Sequence, residues 1–187
     1  MVWVSAMTNG NAPLSIFELA DLLGRYRFIE LALFTVVGEG ARRADDASLC
    51  VALSGASHAH AYRADLIERQ LMVSVGLPRV TESTRSPSPA HTELITTLRS
   101  VESEELADLV AGVWYPMMLD VYKEHLEHCD NPSDGPTRRM LGRIAFDLGV
   151  SRSELDLFLG DRTGSSEVKS ARELIGAIGG PFGTLQL

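Results

Sequence analysis

Leu49, Leu53, Ala56, His60, Ala64, Ile67 and Leu71 follow one another at steps of three and four residues. That spacing places them on one face of a helix, so an imidazole stands in an otherwise core-facing stripe. A second stripe, Ile16, Leu19, Leu23, Tyr26, Glu30, Leu33 and Val37, has Glu30 as its single charged member. A carboxylate buried without compensation is strongly unfavourable, so Glu30 needs a partner, a proton or a metal ion, and His60 is the candidate partner. Asp147 shares a side of a later helix with Met140 and Ile144. A carboxylate and an imidazole held in a dry pocket can have their pKa values drawn toward neutrality, which suits a general acid and base. Glu30, His60 and Asp147 are therefore the candidate catalytic groups. Tyr26, one turn from Glu30, can orient a substrate or donate a hydrogen bond. Ser57, one turn before His60, and Tyr115 are candidate substrate-binding residues. The bland alternative is that each is a satisfied polar group of the core. His58 aligns instead with Tyr62, Asp65 and Arg69 and reads as a solvated surface residue.

The elements that must position these groups are helices. Ser15 with Glu18 three residues later is a capping-box signature, and the helix it starts is expected to run to about Arg43. Asp45 or Asp46 caps a second helix to about Val75, stopped by Gly76 and Pro78. Residues 78–90 have three prolines and no apolar period, and are read as an extended crossover able to span roughly 40 Å. A short helical stretch, "HTELITTLRS", precedes a third long helix from Ser103 to about Cys129, which Pro116 should kink. After the turn "DNPSDGP" a fourth helix is expected over Thr137 to Leu148. Ser151 with Glu154 starts a new helix, and Ser166 caps a last one through about Ile178. Nothing alternates with the period of a strand, so the expectation is one all-α domain over residues 1–187, with a core bundle over about 15–150 and a helical C-terminal extension over 151–187.

With a net charge of −8, the chain is poorly suited to a phosphate backbone, so no nucleic-acid partner is expected. The first residues lack the pattern of a secretory signal and no apolar run is long enough for a membrane span, so a cytoplasmic protein is expected, with Cys50 and Cys129 reduced. The run "YKEHLEHCD" sets Glu124 four residues from His128, and His125 four from Cys129, either of which could chelate a metal. Imidazoles at a helix C-terminus are also favoured by the helix dipole alone. Phosphate loops, nucleophile elbows and zincin helices are not seen.

The pattern resembles the ferritin-like di-iron carboxylate superfamily, most closely the branch of the bacterial tRNA hydroxylase and its actinobacterial relatives. Such bundles supply a Glu from each of two helices and a Glu-x-x-His pair from each of the other two. "RFIELALF" puts Glu30 in the first ligand position. In "SHAH" His60 matches and Ser57 replaces the glutamate, and in "DLGV" Asp147 keeps the acid while Val150 stands where histidine belongs. Tyr115 or Pro116 falls near the third-helix carboxylate. The resemblance implies a ferritin-like four-helix bundle with a long crossover between helices 2 and 3 and a degenerate di-iron site. Three functions follow as expectations: a metal-independent acid–base enzyme on a small organic metabolite, without a cofactor; an iron-dependent oxygenase with a non-standard ligand set; or a non-catalytic binding or assembly bundle. The first helix is also apolar over much of its second half, at Phe28, Ile29, Leu31, Ala32 and Val36, which implies a cover from the C-terminal extension or from a second subunit. A two-fold homodimer through that helix is the expectation.

Overall fold

The computed structural model describes residues 14–71, 78–129, 132–159 and 166–184, and these form helices with no strand among them. The helices are α1 (Ile16–Arg43), α2 (Ala47–Gln70), α3 (Val80–Ser83), α4 (Pro89–Leu98), α5 (Ser103–Leu109), α6 (Tyr115–Glu127), α7 (Gly135–Leu159) and α8 (Ser166–Ala177). A π-helical turn, Val110–Trp114, joins α5 to α6, and a 3-10 turn, Pro132–Asp134, leads into α7. No helix among the described residues is long and apolar enough to cross a membrane.

The start of α1 follows its sequence closely. Ser15 Oγ accepts from the Glu18 amide at 3.3 Å while Glu18 Oε2 accepts from the Ser15 amide at 2.8 Å, a reciprocal cap that stabilises the first turn by about 1 kcal/mol. Asp46, not Asp45, caps α2 by accepting from the Leu49 amide at 2.8 Å. α2 stops at Gln70, earlier than the expected Val75, where the extended Leu71 turns its amide back to Ile67 and Glu68; Val75 and Gly76 lie outside the described residues.

α1 packs most extensively along α2, α2 packs against α7, and α7 against α6, while α5 returns to α1. Two glycines of α1 permit close neighbours. A Cβ at Gly24 would stand 2.0 Å from the Ser83 carbonyl oxygen, and one at Gly40 would stand 2.6 Å from Leu106 Cδ2. The crossover is therefore not a bare extended strand: α3 and α4 are laid against α1. Along α1, Ile29 and Val36 are completely buried, and Phe28, Leu31 and Ala32 are half-buried. The crossover is thus a cover for α1 that the periodicity alone did not bring into view. α8 packs on α5 and the π turn.

Pro116 acts on the helix just before it. It has no amide hydrogen for the Gly112 carbonyl four residues back, and the helix widens there into the π turn. Arg172 Nη2, from α8, donates to that carbonyl at 2.7 Å. The expected break at Ser151 does not occur: α7 is continuous from Gly135 to Leu159. Ser151 is buried, and its hydroxyl serves an internal arginine instead of capping a new helix. The residues on either side of 150 therefore belong to one unbroken helix.

Candidate functional site

Four helices converge on one buried ion network. Glu30 comes from α1, His60 and Arg63 from α2, Tyr115 and Tyr122 from α6, and Asp147 and Ser151 from α7. Glu30, His60, Arg63, Tyr115 and Tyr122 are each 0% exposed, whereas the Asp147 side chain retains 30%.

Arg63 is the hub. Its Nε–H donates to Glu30 Oε2 and Oε1 at 3.1 and 3.3 Å, and its Nη1 donates to Asp147 Oδ2 at 2.7 Å and Ser151 Oγ at 3.3 Å. Its Nη2 approaches His60 Nδ1 to 2.9 Å, and its guanidinium carbon lies 5.9 Å from the centre of the Tyr115 ring. Tyr122 O–H donates to Glu30 Oε1 at 2.8 Å.

These contacts fix the protonation pattern. Burial alone would raise the Glu30 carboxyl, but the Arg63 charge and the hydrogen bonds from His60 and Tyr122 outweigh it and hold it below the ordinary carboxylate value. Glu30 is ionised. His60 is driven the other way: burial, then the Arg63 charge, lower it despite Glu30. A neutral imidazole 2.6 Å from a carboxylate oxygen must place its hydrogen between them, so Nδ1–H donates to Glu30 Oε2. Nε2 is then the acceptor, 3.3 Å from the Tyr115 hydroxyl. Burial raises both Tyr115 and Tyr122, so both phenols keep their protons. Burial would also lower Arg63, yet Glu30 and Asp147 hold it above its ordinary value. One guanidinium thus faces two carboxylates, and the excess negative charge falls to the group with access to solvent, Asp147.

Glu30, His60, Asp147 and Tyr115 come together as the sequence predicted. Tyr26 does not join them. It is buried one turn away, with its hydroxyl 3.3 Å from His125 Nδ1 and its ring edge-on to Tyr122 at 5.1 Å. Ser57 is likewise elsewhere: its hydroxyl donates to the Phe34 carbonyl at 2.8 Å, beside a surface cleft of about 280 Å³ that it lines with Phe34, Gly38, Cys50 and His58. Ser57 does not touch the Glu30 cluster and Tyr26 meets it only through the Tyr122 ring, because side chains one turn apart along a stripe reach different neighbours. His58 is exposed and His60 buried, as the stripes required.

Arg63 and Tyr122 were missed. Arg63 lies three residues after His60 and four before Ile67, so it belonged to the inward stripe. The need of two inward carboxylates for one cation was a further signal. Tyr122 follows Tyr115 and Met118 at steps of three and four, and all three are buried.

A metal pair does not fit these residues. Arg63 already bonds both carboxylates and crowds the imidazole, and among the described residues no group of three or more His, Cys, Asp or Glu is arranged to hold a metal ion. At the end of α6, His125 turns to Tyr26, and His128 Nδ1 donates to the Glu124 carbonyl at 2.7 Å. Neither Cys50 nor Cys129 is in a disulfide.

Next to this network lies an aromatic cluster. Phe182 is completely buried, with ring centres 4.5 Å from Tyr26 and 5.3 Å from Tyr122. Gly179, Gly180 and Gly183, all at positive φ, turn the chain around it, and His91 Nε2–H pins it by donating to the Gly180 carbonyl at 2.9 Å. Comparison of the chain with known protein families, characterised proteins and solved structures gives no match.

Proposed function

We propose that this chain is a ferritin-like four-helix bundle in which a guanidinium stands where that architecture otherwise carries metal cations, and that it works as a non-catalytic binding or assembly module. The observation that carries the reading is Arg63, fully buried and bonded to Glu30 and Asp147 from two other helices. Helix lengths, the crossover between α2 and α5, and the convergence of Glu30, His60 and Asp147 support the ferritin-like assignment. Glu30 and His60 have no exposed surface, and their hydrogen-bonding atoms are taken up by Arg63, Tyr122, Tyr115 and each other. Groups so engaged hold helices together, while an acid–base catalyst must reach its substrate.

Metal analysis and the optical spectrum of protein purified from iron-replete cells test this reading. Substoichiometric iron, and a thermal midpoint that added ferrous iron leaves in place, is the expected result. A pair of irons per chain with an oxo-bridged spectrum would overturn it.

A second reading, an acid–base enzyme on a small organic substrate, draws on the partial exposure of Asp147. A substrate carboxylate entering there would compete with Asp147 for Arg63, and the neutral His60 beside it, held by Glu30 at Nδ1, would accept the substrate's proton at Nε2. Titration with small carboxylic acids, followed through the His60 ring protons by NMR, separates the readings. A saturable shift, strengthened by Asp147→Asn, favours the enzyme. Silence favours the module.

A further inference from the structure

α7 is buried along one side and bare along the other. On the bare side Gly142 and Gly149 sit within a 25-residue helix, where glycine is a poorer choice than almost any other residue. A Cβ at either would meet nothing within 4 Å, in contrast to Gly24 and Gly40, which neighbours demand. Packing among the described residues therefore gives no reason for these two glycines, whereas close approach by a further helix does. Between and beside them stand Phe146, 76% exposed, and Val150, 43% exposed. Arg143 lies one turn before Phe146 and Glu154 one turn after Val150, both exposed.

We infer that this face of α7 pairs with the same face of a second copy, the two helices running antiparallel about a two-fold axis near residues 148 and 149. The argument is self-complementarity. An antiparallel two-fold pairing matches positions equally distant from its axis, and Arg143 with Glu154, and Phe146 with Val150, straddle nearly the same midpoint. At 1.5 Å per residue, Arg143 and Glu154 each lie ~8 Å from the axis on opposite sides, so each arginine meets the other copy's glutamate, twice over. Phe146 of one copy then lies against Val150 of the other, over the hollow left by Gly149. Arg143 is already steadied, its guanidinium 5.3 Å from the centre of the Tyr62 ring. Asp147, the partly exposed member of the ion network, flanks the same stripe.

The inference deepens the assembly reading, and its assay is independent of the metal analysis that tests that reading. Sedimentation of the full chain at micromolar concentration is expected to give a dimer of the 20.3 kDa chain. Arg143→Glu alone and Glu154→Arg alone should each weaken dimerisation by roughly tenfold or more, and the double variant should restore it. Phe146→Glu should give a monomer of unchanged helix content by circular dichroism, and Phe34→Glu, on α1, should leave the dimer intact. Gly142→Ala with Gly149→Ala should raise the thermal midpoint of the Phe146→Glu monomer yet weaken the dimer in the parent chain, a combination that a purely structural role would not produce. A monomer at every concentration, a charge swap that fails to restore the dimer, or a dimer broken at Phe34 and indifferent to Phe146 would each overturn the proposal.

Discussion

Two buried tyrosine–histidine pairs stand among these helices, and they differ in their third member. Tyr115 reaches His60 Nε2 at 3.3 Å, and Tyr26 reaches His125 Nδ1 at 3.3 Å. Behind His60 stand Glu30 and Arg63; beside Tyr26 stand the Tyr122 and Phe182 rings. The first is an ionic crossing point of four helices. The second is an aromatic plug closed by the turn after α8. Burial lowers both histidines, but His60 lies against charges that must be matched, whereas His125 is lowered to about 4 by burial and by His128, with Asp134 pulling more weakly the other way. The same residue types thus serve different ends: charge exchange among helices in one region, aromatic packing in the other.

The largest effect expected from breaking this contrast is at its charged pole. Arg63→Ala leaves the Glu30 carboxylate buried beside Asp147 without its cation, and should cost about 3–5 kcal/mol in urea unfolding. Next is pH. A histidine whose folded value is lowered makes the unfolded chain the better proton acceptor below its ordinary value of 6.5, so stability is fully present above 6.5 and declines as pH falls toward 4. His125 should account for roughly 3 kcal/mol of that decline by pH 4, with His60 acting in the same direction. Glu30, lowered in the fold, loses its contribution only at still more acid pH, as pH falls from its ordinary value through the lowered one. His125→Gln should flatten the curve between pH 6.5 and 4, and an unaltered curve would assign the decline to His60. The smallest effect compares two phenols: Tyr122→Phe removes a donor from a buried carboxylate and should cost roughly 2 kcal/mol, against about 1 kcal/mol for Tyr26→Phe, whose partner is neutral. Equal costs would dissolve the distinction between the regions.

Local chemistry made much of the fold legible in the sequence. The Ser15 and Glu18 cap, the cap at Asp45 or Asp46, which falls to Asp46, and the two stripes, apart from the exposed Ile16, depend on residues within a turn or two of each other. Signals with two local meanings were less legible. Ser151 and Glu154 have capping-box spacing, but Ser151 is needed by Arg63, 88 residues away, and the helix runs through. Pro116 marked a disturbance without revealing that it would be a π turn served by Arg172. The site divides in the same way: Glu30 and His60 stand out because each interrupts an apolar stripe, while Arg63 gives no such signal, because an arginine beside a stripe is usually at the surface. Phe182, in a short glycine-rich tail, carried no periodic signal at all.

A double-mutant cycle of Arg63→Ala and Glu30→Gln, measured by urea unfolding, tests most directly whether one guanidinium holds the centre in place of a metal. The account predicts that the double variant is more stable than Arg63→Ala alone, with a coupling of at least about 2 kcal/mol, because removing the carboxylate charge removes the need for its cation. Costs that add to within about 0.5 kcal/mol would contradict it.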